Sequence, residues 1–140
     1  MKGICLHLKT AKFPIMDGET NEMVNERTYG KAISLHLKDS LSRLGYSVPF
    51  ICCEDWGWWV EITNFPFVLG LCIYCWENEP GMIAEYAIMS SIRDERKWSW
   101  TKFRMVNTVE IVGGIMDDVE NVMRSDKDIQ VIGRLDHFPS

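Results

Sequence analysis

The sequence has few of the residues on which recognised catalytic motifs depend. It contains three histidines, His7, His36 and His137, and none of them lies in a recognisable motif. A hydrolase triad needs a base beside its nucleophile, and no such pairing is visible. Residues 112–115 contain two glycines, but they lie inside a helical pattern and are too few for a phosphate loop. We therefore predict that the chain is not an enzyme.

Signals for disulfides, metals and membranes are also missing. The five cysteines are an odd number, and Cys52 is adjacent to Cys53, so a disulfide framework is not expected. Cys72 and Cys75 have the spacing of zinc and redox motifs, but residues three apart in a strand point to opposite faces. No run reaches the ~20 apolar residues that span a bilayer, and no secretory signal is visible. We expect free thiols, no metal, no cofactor, no membrane contact and a cytoplasmic location.

The composition is that of an ordinary globular protein. Of the 140 residues, 46% are hydrophobic and 25% are charged, which argues against extensive disorder. This length suffices to bury a core, and no linker, repeat or low-complexity tract divides the chain. We predict a single domain over residues 1–140.

The hydrophobic periodicity predicts an α+β fold. Two amphipathic helices are expected, one over residues 28–44 with Ile33, Leu37 and Leu41 on its apolar stripe, and one from Asn107 onwards. Alternating segments predict strands at residues 2–9, 48–53, 58–63, 67–76, 82–91 and 128–135. The resulting order β-α-β-β-β-β-α-β predicts a mostly antiparallel sheet with both helices packed on one face.

The stretch between Leu44 and Ile92 contains no lysine, arginine or histidine. Its charged residues are all acidic, so all the charge on this series of strands is negative. Tryptophan beside carboxylates on a sheet face offers an aromatic anchor and a steering field for a cationic partner. The candidate partner-binding residues are Glu54, Asp55, Trp59, Glu61, Glu77, Glu79 and Glu85. The alternative is that these acids only solvate turns and the open face of the sheet.

Positive charge follows immediately, in residues 93–104. This segment interleaves three aromatic side chains with five cations: Arg93, Arg96, Lys97, Lys102, Arg104, Trp98, Trp100 and Phe103. Such a pattern is found where single-stranded nucleic acid is bound, with rings stacking on bases and cations following phosphates. Asp94 and Glu95 dilute the patch, and the pI near 5.2 opposes polyanion binding. We expect a solvated loop and strand whose tryptophans point inward.

One motif carries a family resemblance. Residues 41–46 (LSRLGY), the motif Glu54-Asp55-Trp56-Gly57-Trp58, a glycine-bearing apolar strand and a late helix together resemble small bacterial EDWGW-motif proteins. More loosely, the layout is similar to that of immunity proteins of contact-dependent growth inhibition and related polymorphic toxin systems. The resemblance implies a cytoplasmic inhibitor that binds a cognate toxin domain, often a nuclease with a basic cleft, by occlusion and charge complementarity.

Two other functions stay open at this point. The segment of residues 93–104 could form a nucleic-acid-binding module, whereas the immunity interpretation expects no nucleic acid as partner. A small ligand could instead bind in a pocket against Trp56 and Trp58. If the acidic meander is not the interface, the loop of residues 17–26 is the next candidate.

Overall fold

The computed structural model describes residues 1–23, 28–79 and 82–139, without the side chains of residues 78, 79 and 82–84. It contains two α-helices and eight strands. In chain order these are β1 (Cys5–Lys9), α1 (Lys31–Arg43), β2 (Ile51–Cys53), β3 (Trp58–Ile62), β4 (Leu69–Glu79), β5 (Met82–Ser90), β6 (Arg96–Ser99), β7 (Arg104–Asn107), α2 (Val109–Arg124) and β8 (Gln130–Leu135).

Six strands form one antiparallel sheet in the order β2-β3-β4-β5-β1-β8. The predicted α+β class and the order of the elements in this sheet are confirmed. The strands β6 and β7 form a separate two-stranded hairpin, which the sequence analysis did not predict. Only the second half of the predicted strand at residues 48–53 is observed, because β2 contains just its last three residues.

Both helices cover the same face of the six-stranded sheet. The strand register places Trp58, Ile73, Ile88, Leu6 and Arg134 on successive strands of this face. Trp58 contacts the start of α1, and Arg134 forms ion pairs with Asp117 and Glu120 of α2. The core lies between these layers. The predicted stripe residues Ile33, Leu37 and Leu41 of α1 are buried in it, as are Val112, Met116 and Val119 of α2.

The first helix is held at its start by a buried carboxylate that lies outside it. Glu19, which is 1% exposed, sits in a single 3₁₀ turn, Glu19–Asn21. Its Oε1 accepts hydrogen bonds from the backbone N–H groups of Gly30 and Lys31, both at 2.9 Å, and its Oε2 accepts one from Met16 at 2.8 Å. The first N–H groups of a helix have no partner within it, so Glu19 supplies what a local capping side chain would supply.

A glycine ends α1 at its other end. Gly45 has a φ of 99°, and the N–H of Tyr46 donates to the carbonyl of Leu41 at 3.0 Å. The N–H of Gly45 donates to Ser42 at 3.1 Å, which completes a Schellman motif. A left-handed residue at this position is tolerated because glycine has no Cβ.

The Glu54–Trp58 motif has a structural role in this fold. Trp58 is 2% exposed, and its indole N–H donates to the carbonyl of Thr28 at 2.7 Å, which fixes the segment that leads into α1. Gly57 makes a close approach, because a Cβ at this position would lie 2.3 Å from the carbonyl oxygen of Ile73. The motif therefore joins the β2–β3 turn to the neighbouring strand and to the first helix.

No helix among the described residues is both long enough and apolar enough to span a membrane.

Candidate functional site

The β6–β7 hairpin is anchored firmly at its base and at its turn. At the base, the N–H of Thr108 donates to Glu95 at 2.9 Å and its hydroxyl donates to the carbonyl of Asp94. At the turn, the buried Ser99 hydroxyl accepts the N–H of Lys102 at 3.2 Å and lies 3.1 Å from the hydroxyl of Thr101. These bonds order the hairpin backbone before any partner binds, which reduces the entropy cost of binding.

The aromatic side chains of the hairpin lie at the surface, so the prediction that its tryptophans point inward is wrong. Trp98, Trp100 and Phe103 are 38%, 79% and 72% exposed. Their ring centroids lie 5.3–6.3 Å apart, and Trp98 contacts the other two rings edge to face. A two-stranded sheet has no second layer to cover its rings, so they shield one another instead. We call these three residues the aromatic cluster.

Backbone strain accompanies this exposure. Phe103 has a φ of 52°, in the left-handed region that bulky side chains rarely adopt. A left-handed conformation costs a non-glycine residue about 1–2 kcal/mol. Phe103 gains no burial in return. Its ring instead contacts Trp98 at 5.3 Å and Trp100 at 6.3 Å, and its left-handed backbone is the last residue of the turn that joins β6 to β7.

A groove separates the aromatic cluster from the β3–β4 turn. It has a volume of about 620 Å³. One wall consists of Lys97, Trp98, Trp100 and Thr101, and the other of residues 61–69. The second wall is apolar: Phe65 and Phe67 stack at 6.5 Å, and Val68 is 70% exposed. This volume lies within the range of about 300–1,000 Å³ that is typical of ligand-binding pockets.

The hairpin side of the groove is positively charged. Arg96, Lys97, Lys102 and Arg104 are all exposed, and none has an ion-pair partner among the described residues. Glu61 is the carboxylate on the opposite wall. The groove thus has an apolar wall that carries Glu61 and an aromatic wall that carries Lys97, with three further exposed cations on the same hairpin.

Two of the predicted interface residues, Trp59 and Glu61, lie on the face of β3 that is turned away from the helices. The predicted alternation is confirmed, since Trp58, Val60 and Ile62 are buried while Trp59 and Glu61 are half-buried. Trp59, however, lies across Gly70 of β4: a Cβ there would be 2.4 Å from its ring. Its ring is therefore engaged in packing within the sheet, which leaves less of it available to a partner than the sequence suggested.

Glu85 does not lie beside Glu61 on the sheet. Glu61 is opposite Gly70, whereas Glu85 is opposite Trp76, six residues further along β4. At about 3.3 Å per residue this separation is about 20 Å. Glu54 is half-buried and accepts a hydrogen bond from the Cys52 thiol at 3.3 Å.

The acids near the β2–β3 turn are occupied within the chain. Asp55 is exposed and Glu77 is half-buried, and both interact with other residues of the protein. Glu79 ends β4, and its side chain lies outside the described part of the chain. Glu26, in the alternative candidate loop of residues 17–26, lies wholly outside it. The tertiary structure therefore divides the acidic meander into separate groups.

Glu85 contacts a histidine side chain from outside the meander. Its Oε2 lies 3.0 Å from the Nε2 of His7 on the neighbouring strand β1. The His7 ring stacks on Trp76 at 5.7 Å, and Phe138 packs against Trp76 and Tyr74. Residues from outside the acidic segment therefore share this sheet face with Glu85: His7 comes from β1 and Phe138 from the C-terminal residues.

The cysteines are free, as predicted. Burial is the main cause that raises the pKa of Cys72 to about 11 and that of Cys75 to about 12. Cys75 donates to the carbonyl of Tyr29 at 2.7 Å on the helix-covered face, whereas Cys72 lies opposite Trp59 on the other face. Thiols with raised pKa values are weak nucleophiles at neutral pH. Within the described residues, no three His, Cys, Asp or Glu side chains are placed to hold a metal ion.

The wall formed by the β3–β4 turn was missed by the sequence analysis. Residues 64–66 lie between two predicted strands, at 58–63 and 67–76, and no function was predicted for them. The available signal was the apolar character of the turn, since Phe65, Phe67 and Val68 surround Pro66 where polar residues are usual. Neither Trp56 nor Trp58 lines this groove: Trp58 is buried, and Trp56 packs on Tyr74 at 5.3 Å.

Comparison of the chain with protein families, with curated proteins and with solved structures gives no match, so the resemblance of the Glu54–Trp58 motif stays a prediction.

Proposed function

We propose that the protein is a cytoplasmic inhibitor of the immunity type, which binds a cognate toxin domain and occludes it. The observation that carries the proposal is the exposed aromatic cluster of Trp98, Trp100 and Phe103 on an anchored hairpin beside an apolar groove. Exposed, preorganised aromatic side chains next to a pocket are the usual centre of protein–protein interfaces. Inhibition by occlusion needs no catalytic group in this chain. That the partner is a toxin is inferred from the family resemblance alone.

The aromatic cluster favours a protein partner over other ligands for a geometric reason. Trp98 contacts Trp100 and Phe103 edge to face, which leaves fewer free ring faces for stacking on bases. The groove beside them is lined by aliphatic and aromatic carbon, and side chains of a protein fit such a surface.

The experiment is neutralisation of the toxin domain encoded beside this chain, scored by growth on co-expression and by the Kd of the purified pair. Trp100→Ala should weaken binding by about 2 kcal/mol or more, which is about 30-fold in Kd. Phe103→Asn is the sharper variant, because asparagine tolerates the left-handed backbone while the ring is lost. We expect this variant to lose binding without losing stability.

Ile132→Thr is the matched control, since Ile132 is an exposed apolar residue on β8 rather than on the hairpin. It should bind and protect like the unchanged protein. Folded Trp100 and Phe103 variants that protect fully would remove the hairpin from the interface. A toxin that the unchanged protein neither binds nor neutralises would refute the immunity function.

The predicted acidic contacts are tested in the same assay. Glu61→Lys is preferable to reversal of Glu85, because Glu85 is paired with His7 and its reversal would also disturb the sheet. If a basic toxin surface lies against Glu61, the reversal should slow association and change its salt dependence more than it changes the final affinity. An unchanged association rate would place the basic surface elsewhere.

Nucleic-acid binding is the second candidate function, and one observation favours it. Trp100 and Phe103 are exposed together with four cations on the same hairpin, which is the combination that single-stranded nucleic acid requires. Titration with a single-stranded oligonucleotide tests it. Binding that falls steeply with salt and is lost in Trp100→Ala would support this function, and absence of binding at low salt would exclude it.

A further inference from the structure

We infer that the groove between the hairpin and the β3–β4 turn binds an acidic, apolar peptide segment of the partner protein. The inference rests on the proposed function, in that the hairpin is taken as the docking surface. It adds the chemistry of the occupant: aliphatic or aromatic side chains for the groove, flanked by carboxylates on the hairpin side.

The apolar part follows from the lining. Val68, at 70% exposed, and the stacked Phe65 and Phe67 form one wall, and Trp98 and Trp100 form the other. Burying the apolar area that these side chains expose is favourable only against another apolar surface. A volume of about 620 Å³ accommodates a short stretch of side chains but not a folded domain.

The acidic part follows from charge complementarity. Lys97 lines the groove itself, and Arg96, Lys102 and Arg104 lie on the same hairpin, all exposed and without an ion-pair partner among the residues that the structure describes. An apolar segment with lysines or arginines would bring like charges together, which opposes binding. Glu61 on the other wall fixes the direction, since a carboxylate of the occupant belongs beside Lys97 and away from Glu61.

The lining of the groove also favours an acidic peptide over nucleic acid, the other anionic ligand that the cations would attract. Phosphates would be attracted by the same cations, but bases need planar faces on which to stack. Trp98 and Trp100 supply planar faces on the hairpin wall, but on the other wall Phe65 and Phe67 stack on each other, and Pro66 and Val68 are aliphatic. An acidic peptide with aliphatic side chains complements both the cations of the hairpin and the apolar wall of the groove.

The test uses three labelled peptides and fluorescence anisotropy with the full chain. The first has two leucines flanked by aspartates, the second replaces the aspartates by lysines, and the third replaces the leucines by serines. We expect the first to bind at least about tenfold more tightly than either of the others at low salt, with the advantage over the lysine peptide shrinking as salt screens the charges. Lys97→Glu should reverse the preference between the first two peptides. Lys127→Glu, which changes the net charge equally at an exposed lysine outside the groove, should not.

The outcomes separate this inference from the proposed function. If Trp100→Ala weakens binding of the toxin domain but the acidic peptide shows no preference or no binding, only the inference about the occupant is overturned. If Trp100→Ala leaves toxin binding unchanged, the docking surface itself is wrong. A single-stranded oligonucleotide that binds more tightly than the acidic peptide would overturn the inference in favour of nucleic acid.

Discussion

The buried carboxylate of Glu19 should be one of the largest single contributors to the stability of this fold. It accepts three backbone N–H groups, two at the start of α1 and one within its own turn. A buried donor without a partner costs about 1–3 kcal/mol. Because the bonds to Lys31 and Met16 are only partly buried, water compensates for some of the loss. Glu19→Ala should therefore lower the free energy of unfolding by about 2–5 kcal/mol.

The isosteric variant Glu19→Gln gives a finer prediction. Its carbonyl oxygen can still accept from Gly30 and Lys31, but its amide then points a donor at the N–H of Met16. One bond is lost, together with a negative charge at a helix N-terminus that contributes about 0.3–1 kcal/mol. We expect a loss of about 1–2 kcal/mol, clearly smaller than that of the alanine variant.

Urea titration followed by circular dichroism measures both losses. Glu22→Gln is the matched control, because Glu22 forms only a surface ion pair with Lys31, at 2.6 Å. Such pairs contribute about 0–1 kcal/mol, so this variant should be nearly neutral. If Glu19→Ala is no less stable than Glu22→Gln, or if the alanine and glutamine variants are equal, Glu19 does not hold the start of the helix as described.

Two further predictions concern the core and the thiols. Leu41→Ala should cost about 2–5 kcal/mol in the same titration, because Leu41 is fully buried in a tight core; a loss below about half a kcal/mol would remove α1 from the core. Burial raises the pKa of Cys5 and Cys72 from 9.0 to about 11 and that of Cys75 to about 12, so these thiols should resist alkylation near pH 8 in the native protein and react in urea. Since the folded state retains these protons, its stability should be present below pH 9 and decline as the pH rises through 11. Rapid native alkylation of all five thiols would contradict this.

The regular elements could be predicted from local sequence. The helical stripe through Ile33, Leu37 and Leu41 and the alternation in β3 depend on periodicities of 3.6 and 2, which are visible within a few residues. The glycine stop at Gly45 is equally local, because the need for a left-handed residue belongs to the chain itself. These features decided the α+β class.

The contacts of Glu19 and Glu85 could not be predicted in this way. Glu19 binds Gly30, eleven positions along the chain, and Glu85 pairs with His7, 78 positions away. No periodicity encodes such partners, since they depend on which strands become neighbours. The predicted acidic surface was divided for the same reason: the strand register separates Glu61 from Glu85 by six residues of β4.

The sequence by itself determined the fold class and placed basic and aromatic residues together in residues 93–104. Only the tertiary structure decided which way these side chains point. An amphipathic segment buries its rings when another layer lies over it, and the β6–β7 hairpin forms a sheet of its own without such a layer. Trp100 and Phe103 are consequently exposed, and the β3–β4 turn lies across from them. The groove exists because two segments distant in sequence meet at one edge of the fold, and that proximity is a property of topology.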